Sequence, residues 1–127
     1  MSVPPSTGLG PLEAEVMSVM WKADAPMLVR DVLDRLNRVR KPQLAYTTVM
    51  TVLVRLTDKG ALQREVAGRG YAYVAAVDDA AGIAVNNVLR DFGDAAVAHF
   101  VAQAQQDSRL AARLRRLMKA GDEAESR

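Results

Sequence analysis

The sequence predicts a mainly α fold with one small β-hairpin. Apolar residues recur at helical spacing along most of its 127 residues, and the period changes once, to alternation on either side of a glycine-bearing turn at 67–70. Half of the residues are hydrophobic and a quarter are charged, enough for one small domain's core and an appendage.

The stretch through Gly10 is rich in Pro, Ser and Gly and reads as a flexible lead over residues 1–8. Pro11 suits a first helical position, and Glu13 and Glu15 suit the positive end of a helix dipole. With Leu12, Val16, Val19 and Met20 on one face, residues 11–22 form an amphipathic helix, and Trp21 belongs to its packing. Asp24, Ala25 and Pro26 make a turn before a second short helix lined by Val29, Val32, Leu33 and Leu36. Arg40, Lys41 and Pro42 interrupt the pattern. Val49, Val52, Leu53 and Leu56 then define the buried stripe of a third helix that stops at Gly60.

Leu62, Arg64 and Val66 alternate with Gln63 and Glu65, Ala67-Gly68-Arg69-Gly70 supplies a turn, and Tyr71, Tyr73 and Val74 resume β-prone sequence. Three helices followed by a hairpin is the order of a winged helix-turn-helix, in which the third helix enters the major groove and the hairpin lies along the phosphates. This domain is assigned to residues 9–77.

Asp78 and Asp79 can cap a further helix carrying Ile83, Val85, Val88, Leu89 and Phe92, which Gly93 and Asp94 break. Val97, Phe100 and Val101 continue on another. A last helix opens at Asp107 or Ser108 and closes at Gly121, with Leu110, Leu114, Leu117 and Met118 opposite Arg109, Arg113, Arg115 and Arg116. Residues 78–121 therefore form helices with an apolar stripe to bury. A second copy of the chain is the economical partner, through Val88, Leu89, Phe92, Val97, Phe100, Leu110, Leu114 and Leu117; the alternative is that these helices fold back on the first domain. Residues 122–127 read as a flexible tail.

Charge is unevenly distributed. The formal net charge is only +2, but residues 28–70 carry nine cations against four carboxylates, a local balance of +5, while 1–27 and 71–127 are slightly negative. A solvated helical surface explains such a patch as well as a nucleic-acid partner does, until the residues are placed on elements. With the apolar stripe of the third helix turned inward, Thr47, Thr48, Thr51 and Arg55 share its opposite side, with Met50 and Val54 flanking and Tyr46 at the start. Hydroxyls can bond phosphate oxygens, Thr methyl groups can touch thymine methyls and Arg can pair with guanine or phosphate, so this face suits a groove of double-stranded DNA. Thr47 or Thr48 can also serve as a helix cap. Arg69, held between two glycines, suits a cation laid over the phosphates, with Arg64 and Lys59 in support; a solvated hairpin tip is the alternative.

Other chemistries are excluded or unsupported. The chain has no Cys, hence no disulfide, thiolate metal site or Cys nucleophile, and His99 is its only His. No phosphate-binding loop or nucleophile-base pair is present, so no enzyme, cofactor or metal is expected, and His99 reads as a partly buried helix residue. Neither a signal peptide nor a run of about 18 apolar residues occurs, so the expectation is a cytoplasmic protein without membrane insertion.

The segments LEAEVMSVMW, AYTTVMTVLVRLTDKGAL and REVAGRGYAYVA resemble the penicillinase-repressor family of BlaI and MecI type, closely over residues 9–77 and more loosely beyond. The resemblance implies a homodimeric winged-helix repressor of β-lactamase and related sensor-protease genes, bound to a dyad-symmetric operator. It puts Tyr46, Thr47, Thr48, Thr51 and Arg55 on the recognition helix and Arg69 in the wing. It also implies a membrane sensor-protease as partner and inactivation by proteolysis in the C-terminal helices, at an Asn-Phe bond whose place is taken here by His99-Phe100. Copper-responsive members hold metal with C-terminal Cys clusters, which this chain lacks. The alternative function is a winged-helix protein-interaction module without specific DNA binding.

Overall fold

A computed structural model describes residues 4–125. Helix α1 (Pro11–Lys22), strand β1 (Met27–Leu28), helix α2 (Val29–Asn37) and helix α3 (Tyr46–Asp58) precede the hairpin of β2 (Leu62–Ala67) and β3 (Gly70–Ala75). Helices α4 (Ala80–Phe92), α5 (Asp94–Gln106) and α6 (Ser108–Glu125) complete the described chain. The fold is therefore mostly helical with one small antiparallel sheet. That sheet has three strands in the order β1-β3-β2, because Met27 and Leu28 pair with Tyr73 and Ala72. The third strand was not expected: two residues are too few to show a period.

The chain divides into two compact units, Met1–Asn87 and Val88–Arg127. The boundary falls inside α4, ten residues beyond the sequence-based limit at 77, because Ile83 is buried in the first unit's core. Val16, Met17, Val32, Val49, Leu53, Leu56, Leu62 and Tyr73 make up the centre of that core, all but out of reach of water. Helical spacing anticipated the buried faces of α2 and α3 and, on α1, Val16 and Met20 but not the fully buried Met17. Trp21 packs as expected, and its Nε1–H donates to the carbonyl of Val77 at 2.9 Å. Asp79 accepts the amide of Gly82 at 3.1 Å and so caps α4.

The lead is not free along its length. Residues 5–7 form a 3-10 turn, Thr7 is buried, and its hydroxyl donates to the Pro4 carbonyl at 2.8 Å. Asn87 Nδ2 donates to the Thr7 carbonyl at 2.7 Å, which ties residues 6–7 to α4. Residues 1–3 of the expected lead lie outside the described residues.

In the second unit α5 packs against α6, with Ala104 buried. Asp107 Oδ1 accepts the amides of Arg109 and Leu110 and caps α6, as its position suggested. The helix does not close at Gly121 but runs on to Glu125, so residues 122–125 of the expected tail are helical; 126–127 lie outside the described residues. A lone glycine costs a helix only about 1 kcal/mol and does not by itself stop one. His99 is exposed on α5, not partly buried.

Candidate nucleic-acid interface

Helix α3 presents two faces of opposite character. Val49, Val52, Leu53 and Leu56 are buried, whereas Tyr46, Thr47, Thr48, Thr51 and Arg55 are exposed, which the 3.6-residue period requires of positions half a turn away. Asp58, the last residue, is the only acid in the helix. Gly60 follows at φ +80°, the left-handed conformation that ends a helix cheaply only at glycine.

The cap is Ala45, and no side chain bonds the first turn, so neither Thr47 nor Thr48 acts as the cap that sequence allowed. Both residues are exposed. Thr51 Oγ1 instead donates to the Thr47 carbonyl at 2.9 Å. That bond uses the hydroxyl proton internally, so that Thr51 can still offer its oxygen as an acceptor and its methyl group as an apolar contact.

Arg55 makes no ion pair with any described residue. It lines a concavity with Thr47, Thr48 and Thr51, whose other wall is Gly10, Pro11, Leu12 and Glu13 of the α1 end. The Glu13 carboxylate is therefore a neighbour of this face, and its charge is met by Lys59 Nζ at 2.9 Å. Lys59 was expected to support the wing; it is committed to Glu13 and does not belong with Arg69. Burial works against ionisation of Glu13, whose side chain is only 15% exposed, but the Lys59 ammonium, the Gly10 amide and the nearby Arg55 outweigh it. They hold the carboxyl below its ordinary value of 4.5.

A carboxylate with a depressed pKa contributes stability that is present at neutral pH and is lost as pH falls through and below the ordinary carboxylate range. Thermal unfolding of the wild type and Glu13→Gln between pH 7 and pH 3 should therefore show the wild type losing its advantage on acidification. Parallel curves would remove Glu13 from the acid response.

The wing is a tight hairpin with Ala67 paired to Gly70, so Gly68 and Arg69 alone make the turn. Gly68 has φ +60°, which a first turn residue can adopt without strain only if it is glycine, and Arg69 is exposed at the tip. Arg64 pairs with Tyr73 in the register, and its guanidinium lies 4.4 Å from the centre of the Tyr71 ring. Tyr71 also lines a groove with Leu28, Arg30, Tyr46 and Gly70, where the starts of α2 and α3 meet the hairpin. Sequence reasoning counted Arg30 only in the charge total and Tyr71 only as β-prone. What joins them is the pairing of β1 with β3.

The interface residues expected in the C-terminal helices are on the surface of the second unit. Val88, Leu89, Val97 and Phe100 are each nearly half exposed, Phe92 is 66% and Leu117 58% exposed, and Leu110 and Leu114 are half-buried. His99 and Phe100 are both exposed within α5. Among the described residues no cluster could hold a metal ion, and no helix is long and apolar enough to cross a membrane.

The penicillinase repressor family matches residues 9–120, from the start of α1 almost to the end of α6. The chain belongs to the penicillinase repressor family. Transcriptional regulator BlaI of Mycobacterium tuberculosis, in strains CDC 1551 and H37Rv, is 42% identical to this family member over 108 residues, which span 80% of this chain and 77% of that protein. This chain is accordingly a BlaI-type transcriptional regulator and not an enzyme. Among solved structures, the monomeric form of Bacillus licheniformis BlaI in complex with the blaP half-operator is 29% identical, with a TM-score of 0.47 over 61% of this chain and 88% of that one. A MarR/EmrR family regulator from Acinetobacter sp. ADP1 is 19% identical, with a TM-score of 0.46 over 94% of this chain and 78% of that one.

Proposed function

We infer that the chain is a dimeric repressor that lays α3 of each copy in the major groove of a dyad-symmetric operator. It blocks promoters of β-lactamase, antibiotic-resistance and sensor-protease genes. The observation that carries this reading is the outward face of α3: three Thr side chains and Arg55, which makes no ion pair with a described residue, beside a Glu13 carboxylate answered by Lys59. Such a face can donate, accept and make methyl contacts in a groove without placing bare negative charge against phosphate. Family membership supports regulation of transcription.

Residues 9–77 supply the DNA-binding part in this reading and residues 78–121 the dimer contact, through the exposed apolar residues of α4, α5 and α6. Repression is relieved by a membrane sensor-protease cutting within the C-terminal helices, with His99-Phe100 the candidate bond. Exposure of both residues favours access, but a helical bond must unwind locally before a protease can bind it.

Binding to operator and scrambled duplexes at two salt concentrations tests this reading. Operator affinity should exceed scrambled affinity and fall steeply with salt. Arg55→Ala is expected to weaken operator binding by about 1–3 kcal/mol if Arg55 reads a base. Equal losses on both duplexes would recast Arg55 as a phosphate contact. A folded protein with no salt-sensitive affinity for any duplex would favour the protein-interaction module.

A further inference from the structure

We propose that Arg30 and Tyr71, together with Tyr46, form a seat for one DNA backbone phosphate, and that the Tyr71 ring also positions Arg64 beside it. The inference rests on the DNA-binding reading above and adds two residues that neither the charge pattern nor the periodicity singled out.

Arg30 near the start of α2, Tyr46 on α3 and Tyr71 on β3 line this groove, with Leu28, Val29, Ala67 and Gly70 making up the rest of its lining. They are 41 residues apart at the extremes and meet because β1, directly before α2, pairs with β3. Among the described residues no acidic side chain lines the groove. Arg30 is exposed and makes no ion pair with a described residue, so its charge is available to a ligand. Two phenol hydroxyls and a guanidinium are donors suited to phosphate oxygens, whereas a base edge would demand a more exact pattern of donors and acceptors.

Arg64 adjoins the same groove through Tyr71. Its guanidinium lies over Tyr71 at 4.4 Å from the ring centre. A cation held on an aromatic face has lost part of its rotamer freedom before any ligand arrives, which lowers the cost of a later contact. In this proposal Tyr71 acts on DNA twice, as a residue lining the groove and through the cation on its ring.

The same position that favours α3 for base reading favours this groove for the backbone. Tyr46 is the first residue of α3 and lines the groove, while Thr47 and Thr48 beside it line the concavity with Arg55. A duplex engaged by the Thr face brings its sugar-phosphate edge past Tyr46.

The test is a methylphosphonate scan, in which backbone charges of the operator duplex are neutralised one at a time for the full-length wild type, Arg30→Ala, Tyr71→Phe and Tyr71→Ala. Arg30→Ala is expected to bind both operator and scrambled duplex about tenfold more weakly, with a salt slope lower by about one. One neutralised linkage should cost the wild type about as much and cost Arg30→Ala nothing further. Tyr71→Phe should retain the contribution of Arg64, so that adding Arg64→Ala to it still weakens binding. Adding Arg64→Ala to Tyr71→Ala should change little. Far-ultraviolet circular dichroism and a melt of each variant exclude unfolding as the cause.

If the wild type binds the operator but Arg30→Ala matches it at every linkage, the seat is wrong while the DNA-binding reading stands. If Arg64→Ala costs the same whether residue 71 is Tyr, Phe or Ala, the positioning role is wrong. If the wild type binds no duplex, both the reading and the seat fall together.

Discussion

Replacing Leu114 and Leu117 together by Asp is expected to turn a dimer into a monomer and to weaken binding to a full dyad operator by about a hundredfold to ten-thousandfold. The loss comes from linkage: once one copy is bound, the second half-site meets its partner at high effective concentration, and that advantage vanishes when the copies separate. Leu117 is 58% exposed, so in an isolated chain an Asp there disturbs nothing. Leu114 is half-buried and lines a concavity with Val101 and Ala104 of α5, so its replacement also strains the packing of α5 on α6. The pair Phe92→Asp and Leu117→Asp, both at well exposed positions, separates the two effects. Sedimentation should give monomer mass for both double variants, with helical content kept in the second. A variant still dimeric would contradict the placement of the interface, and a variant monomeric yet undiminished on the full operator would contradict its role.

The second large effect concerns stability. Leu53 is completely buried between α3 and the elements around it, so Leu53→Ala should cost about 2–5 kcal/mol through lost apolar transfer and an unfilled cavity. Against a total of about 5–15 kcal/mol for a typical domain, this is enough to shift the denaturation midpoint strongly. Urea unfolding checks it. A loss under 1 kcal/mol would mean that the first unit's core is looser than its burial implies. Arg55→Ala, two residues along on the exposed side of the same helix, should leave the midpoint nearly unchanged. The contrast assigns one face of α3 to folding and the other to recognition.

Much of this architecture was legible because it rests on short-range periodicity. Val49, Val52, Leu53 and Leu56 mark the inner face of α3 without any knowledge of what they pack on, and the same spacing leaves Thr47, Thr48, Thr51 and Arg55 outside. The hairpin was legible because Gly68 can take the positive φ that its turn needs. What sequence did not disclose depends on long-range partners. Strand β1 exists only because β3 lies beside it, and without that pairing Arg30 and Tyr71 have no reason to be considered together.

Lys59 shows the same limit in a single side chain. Its position after α3 made it a plausible support for the wing, but the nearest carboxylate in space is Glu13, 46 residues earlier. Thr7 and Asn87 are a further case, since a Pro- and Gly-rich lead carries no sign of an anchor that comes from α4. His99 was expected to be partly buried, and local pattern has no means of telling which side of α5 a partner covers. The extension of α6 beyond Gly121 arises because neighbouring helix formers can outweigh one glycine.

The most direct measurement is a footprint of the purified protein on the DNA upstream of its own gene and on β-lactamase and sensor-protease promoters, at two salt concentrations, alongside its molar mass by light scattering. The expected result is dimer mass and a salt-sensitive protected dyad, with half-site centres one helical turn of about 34 Å apart or a multiple of it. A folded dimer that protects none of these sequences at either salt concentration would contradict it.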